Sequence, residues 1–200
     1  MHAKTHKFLY ASMPMQLNAD YPGDRGIIFP FILNTMTMVP GQSFYMAANE
    51  PHAYISGDIL ECMALSDNVV RMGLTPKFKD KDVLLSMLHY HSAEAGFCEP
   101  KRLNDHTVVY RPPLDGFSEF EIECVTVPAG DSCSLEKLPC ASISLFLTGE
   151  GGEYSVADGE FSQVGASGSC YFQCSDSDLV VRAAEEEIKI YRAHINLGSA

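Results

Sequence analysis

The stretch EPHAYISGDILECMALSDNVVRMGLTPKF (50–78) sets one histidine, four carboxylates and two cations among apolar residues. His52 stands where a turn enters a strand, at the rim of a barrel, and its imidazole can bind a divalent metal. By position alone, a rim histidine held by hydrogen bonds is the simpler reading. Gly57 and Asp58 read as the turn of a hairpin, so the following chain returns alongside His52. Along ILECMAL, Glu61 and Met63 share one face while Leu60 and Cys62 share the other. Burying an unpaired carboxylate is costly, so Glu61 should face water, a metal or a cation. Ser66 to Asn68 form a second turn containing Asp67, and the chain beyond it delivers Arg71 and Lys77. Taken singly, Asp67 is a turn residue and the two cations a solvated pair. Together with His52 and Glu61, after one hairpin, they suit a small anionic substrate.

The elements that must hold these residues follow from hydrophobic period. Residues 1–20 show no clear pattern. From Gly26 to Leu65, apolar runs of strand length are cut by Pro40-Gly41, by Asn49 to Pro51 and by Gly57-Asp58, which predicts strands joined by tight turns. Val83, Leu84, Met87 and Leu88 fall at helical spacing behind Asp80, an N-cap residue, so a short helix is predicted over 80–90. The polar, proline-bearing stretch 91–116 reads as a long surface loop. EFEIECVTV then places Phe120, Ile122 and Cys124 on one face and Glu119, Glu121 and Glu123 on the other, a half-buried strand. Further runs at ASISLFL, EYSVA, CYFQC, LVVRAA and IKIYRAHI are separated by Gly and Asp turns. The predicted fold is mainly β: two jelly-roll or barrel units, 21–116 and 117–200, with one short helix and a long connecting loop. No pattern of chemistry is visible in the second unit, and its AAEEEI run reads as a solvated turn.

Composition narrows the partners. The 200 residues carry 14 Lys+Arg against 26 Asp+Glu, a net charge of −12, which repels phosphate backbones and anionic membranes. Neither nucleic acid nor a membrane is an expected partner. Seven cysteines, an odd number, contain no C-x-x-C pair and read as reduced thiols of a cytoplasmic protein. No apolar run reaches the length of a membrane span, and the opening residues lack the apolar core of a secretory signal.

PHAYISGDILECMALSDNVVRMGLTPKFKD resembles, almost residue for residue, the signature segment of type I mannose-6-phosphate isomerases, zinc enzymes of the cupin superfamily. YPGDRG upstream and VVYRPPLDGF downstream are similar to that family as well. The resemblance implies cupin-type units, the first of them incomplete, and interconversion of mannose 6-phosphate and fructose 6-phosphate through an enediolate. It implies that His52 is one zinc ligand and that Arg71 is the essential arginine. Glu61, Asp67 and Lys77 correspond to polar residues lining the sugar-phosphate site, and Tyr54 to the tyrosine beside the ligand histidine. Arg71, Glu61, Asp67 and Lys77 are thus the catalytic candidates, and Tyr54, Arg71 and Lys77 the substrate contacts. Which of Glu61, Asp67 and Lys77 moves the proton stays open.

The family's zinc also takes a Q-x-H pair and a glutamate, and no Q-x-H occurs in this sequence. Three explanations follow: a portion of a longer isomerase, a non-catalytic sugar-phosphate binding or regulatory module, or a chain completed by a second polypeptide or by self-association. Missing strands would leave sheet edges and apolar side chains uncovered, so the chain alone should self-associate.

Overall fold

The computed structural model describes residues 3–66, 69–90, 96–157, 159–174 and 177–198, with side chains from residue 12 onward. Two compact units emerge. The first comprises Met1–Gly41, Met46–Ile59 and Leu65–Gly96; the second comprises Gln42–Tyr45, Leu60–Ala64 and Phe97–Ala200.

The first unit opens with helix α1, Ala3–Asp20, where the sequence shows no period and Pro14 lies inside the helix. Leu17 is its buried anchor. Next, GIIFPFIL departs from the strand predicted for it, because Arg25–Phe31 wind as a 3-10 helix. Two local causes act. Asp24 accepts the Gly26 N–H at 2.7 Å, which starts a tight turn. Pro30 has no N–H to give a ladder and a φ suited to helix. Helix α2, Lys81–Met87, lies inside the predicted span, and Asp80 caps it by accepting the Val83 N–H at 3.1 Å.

Between these helices the predicted hairpin forms no ladder. Gly57 takes a positive φ of 99°, as a bend requires, but the described chain on either side of it, 45–66, forms no strand. Strands exist by exchanging backbone hydrogen bonds with neighbours, and apolar alternation cannot create a neighbour. The alternation itself survives as exposure: Glu61 and Met63 face solvent while Leu60 and Cys62 are half-buried.

Among the described residues, every strand belongs to the second unit. A two-stranded ribbon joins β1, Ser43–Phe44, to β2, Phe97–Cys98. The stretch 91–116, expected as a loop, carries β2, then β3, Lys101–Arg102, and β4, Thr107–Tyr110. Its polar and proline residues mask a short alternating core. Asn104 Oδ1 accepts the N–H groups of His106 and Thr107 at 2.9 Å each, and this turn folds β3 onto β4. After it come β5 (Glu121–Val127), β6 (Ser132–Leu135), β7 (Ser142–Thr148), β8 (Glu153–Val156), β9 (Ser162–Gln163), β10 (Ser169–Gln173), β11 (Leu179–Arg182) and β12 (Ile188–His194). All pair antiparallel, in a six-stranded sheet of order β10-β7-β12-β5-β4-β3 and a four-stranded sheet of order β6-β11-β8-β9. No barrel closes among the described residues.

The two larger sheets share one core. Val125, Val127, Phe146, Ile188 and Ile190 from the first meet Cys133, Leu135, Leu179 and Val181 from the second. Each fully buried aliphatic there contributes roughly 1.5–3 kcal/mol of transfer free energy. Toward the other end of β5 and β12 the inward positions turn ionic. Cross-strand register sets Arg192 opposite Glu123 and His194 opposite Glu121. The alternation divides β5 as predicted, yet Glu121 is turned inward and is only 3% exposed. Arg111 Nε bonds its carboxylate, and His194 Nδ1 lies 3.6 Å from it. Arg192, 2% exposed, donates to Ser142 Oγ at 3.0 Å, to the Glu136 carbonyl at 2.8 Å and to Glu123 at 3.4 Å. Charges this deep persist only when paired.

Candidate functional site

The loop between Arg71 and Lys79, in the first unit, closes on one carboxylate. Asp24 Oδ1 accepts from Gly26, and Asp24 Oδ2 accepts the Lys79 ammonium at 2.9 Å. Lys79 Nζ also donates to the Thr75 carbonyl at 2.9 Å, and Thr75 Oγ1 accepts the Lys77 N–H at 3.2 Å. The bond from Gly26 and the Lys79 ammonium hold the Asp24 carboxyl down at about 2. Packing is close. A Cβ on Gly26 would stand 2.8 Å from Leu74 Cγ, and one on Gly73 would stand 3.0 Å from Asp24 Oδ1. Neither glycine has room for a side chain.

Of the candidates read from the sequence, His52, Tyr54, Arg71 and Lys77 fall in the first unit. Arg71 is half-buried and Lys77 exposed, both on the loop pinned by Asp24. The rings of His52 and Tyr54 are in contact, with centroids 5.6 Å apart. Glu61 belongs to the second unit and is exposed, and Asp67 lies outside the described residues. His52 Nδ1 is 2.9 Å from the Glu50 carbonyl oxygen. A carbonyl only accepts, so Nδ1 carries the proton and Nε2 keeps its lone pair, the arrangement of a metal-ligating histidine. One imidazole is not a metal centre. Among the described residues no three or more His, Cys, Asp or Glu are grouped to hold an ion.

Two sets of residues escaped sequence reasoning. Asp24 and Lys79 lie far apart in sequence, and the one available signal was an Asp-x-Gly turn in YPGDRG. The ionic cluster of Arg111, Glu121, Glu123, Arg192 and His194 had no local signal, because its members meet only through the register of distant strands.

No family model matches the chain. Mannose-6-phosphate isomerase 2 of Arabidopsis thaliana is 37% identical over 182 residues, 91% of this chain and 40% of that protein. The mannose-6-phosphate isomerase of Schizosaccharomyces pombe is 33% identical over 193 residues, 92% of this chain and 45% of the relative. The crystal structure of mannose 6-phosphate isomerase from Salmonella typhimurium, bound to fructose 6-phosphate and zinc, superposes with a TM-score of 0.72 at 25% identity, covering 98% of this chain and 52% of that one. The fold is thus the mainly β one of the Salmonella typhimurium enzyme, a sugar-phosphate isomerase. More particularly, the chain is a homologue of the mannose-6-phosphate isomerases and corresponds to their C-terminal part. It spans about 40% of the length of the Arabidopsis relative.

Proposed function

We propose that this chain supplies the sugar-phosphate side of a mannose-6-phosphate isomerase active site. The observation that carries the reading is identity of 37% to such an enzyme across 91% of the chain, a span that includes the Arg71–Lys79 loop. Arg71, permanently charged, either grips a phosphate oxygen or stabilises the oxyanion that develops when a proton leaves C2 of the opened sugar. Lys77 adds a second cation for the phosphate. Glu61, Asp67 or Lys77 carries the proton to C1, and Tyr54 contacts the sugar beside His52.

Among the described residues zinc finds no full set of ligands. His52 has the tautomer of a ligand, but it is a single donor there, short of the four a stable tetrahedral site needs. His52 is therefore one ligand of a zinc site completed by residues outside this chain or by a second polypeptide. A cytoplasmic location suits seven cysteines that are all free thiols. No helix among the described residues is long and apolar enough to cross a membrane. The shortage of metal donors also favours a second reading, a sugar-phosphate binding module without turnover.

A coupled isomerase assay with added zinc, run beside calorimetric titration of fructose 6-phosphate, separates the two. For the enzyme, turnover is expected and Arg71→Ala should lower kcat/KM by roughly a hundredfold or more. Binding without turnover selects the module. Neither binding nor turnover defeats both.

A further inference from the structure

The family resemblance of the segment 51–80 implies roles for Arg71 and Lys77 but none for the groups that hold their loop, and those groups form a single hub. The Asp24 carboxylate takes an N–H from Gly26 and the ammonium of Lys79. Its side chain is largely buried, with 13% of its surface accessible. Leu74 stands at a positive φ of 52°, a conformation that a non-glycine residue keeps only when its surroundings impose it. Two close contacts impose it here: the Leu74 side chain laid over the bare Cα of Gly26, and Gly73 pressed against Asp24. Arg71 lies two residues before Gly73, and Lys77 two residues before Lys79. Both cations therefore leave the backbone at points whose direction the hub sets.

We propose that Asp24, braced by Lys79, is a positioning residue that fixes the Arg71–Lys77 loop for binding the phosphorylated sugar. The proposal rests on the reading of Arg71 and Lys77 as the anion-binding pair. Asp24 acts only through the loop and does not itself meet the ligand. A neutral amide at this position keeps the shape of the carboxylate. It loses the ion pair that ties Asp24 to Lys79 at the end of the loop, so the strained turn at Leu74 relaxes.

Two measurements on the whole chain test this, one of which needs no ligand. Amide hydrogen exchange by NMR reads the loop: in Asp24→Asn the Leu74 N–H should exchange at least about tenfold faster, while the amides of β5 and β12 are unchanged. Calorimetric titration with fructose 6-phosphate reads the consequence: affinity should fall roughly tenfold in Asp24→Asn, and not further when the same change is made on an Arg71→Ala background. Lys79→Met, which removes the ammonium and leaves the bond from Gly26, should show both effects at smaller size and replaces Asp24→Asn if that variant does not fold. Unchanged exchange at Leu74 overturns the proposal, as does a loss of affinity that adds fully to that of Arg71→Ala. If the unmutated chain fails to bind fructose 6-phosphate, the functional reading falls, and the anchoring of the loop is decided by hydrogen exchange alone.

Discussion

Asp24 and Glu123 are both held ionised, by different means, and acid should find each of them. Asp24 is lowered to about 2 by the Gly26 N–H and the Lys79 ammonium. A carboxyl depressed in the folded state stabilises the fold above its unfolded value, near 4, and loses that contribution as pH falls toward 2. Thermal melts of the wild type and Asp24→Asn should therefore differ at pH 5 to 7 and converge between pH 4 and 2. For Glu123, burial pushes the carboxyl up, but the facing His194 and Arg192 outweigh it and the net shift is downward. Its stabilisation has the same sign and is likewise lost in acid. Arg192→Met strands Glu123 and should cost about 3–5 kcal/mol in urea unfolding; a loss under 1 kcal/mol would mean that the pair contributes little. These residues show where sequence reading stops. His52, Arg71 and Lys77 could be singled out as candidates because a histidine and two cations stand close together in an apolar run. Arg192 was not, because its partner Glu123 is brought to it only by strand register.

At the scale of elements, the local periods were read well and the pairings poorly. Alternation along IKIYRAHI matches the strictly alternating burial of β12, since side-chain direction in a strand depends only on position. The segment Arg25–Phe31 was misread because a short apolar run fits a strand or a helical turn equally. The contact from Asp24 to Gly26 and the missing N–H of Pro30 decide between them. Helix α2 was legible from its cap. Asp80→Ala removes the acceptor for Val83 N–H and should cost about 1 kcal/mol, seen as a lower urea midpoint with an unchanged slope.

On the molecular scale, the two units differ in how well they cover their apolar side chains. Phe31, Ile32, Leu65, Phe78 and Tyr90 of the first unit are all more than half exposed, Phe78 at 83%. Such surface exceeds what an isolated soluble domain usually shows, and sedimentation of the chain alone should reveal concentration-dependent association. A single monomeric species across the micromolar range would contradict that. The second unit holds the buried core, and the ionic rows beside that core govern how the sheet assembles. Sliding β12 past β5 by two residues would set Arg192 against Val125 in one direction and Ile190 against Glu123 in the other. Either arrangement marries a naked charge to a hydrocarbon, whereas a purely aliphatic seam would tolerate both. The guanidinium and carboxylate thus serve as a notch that lets two otherwise interchangeable alignments be told apart.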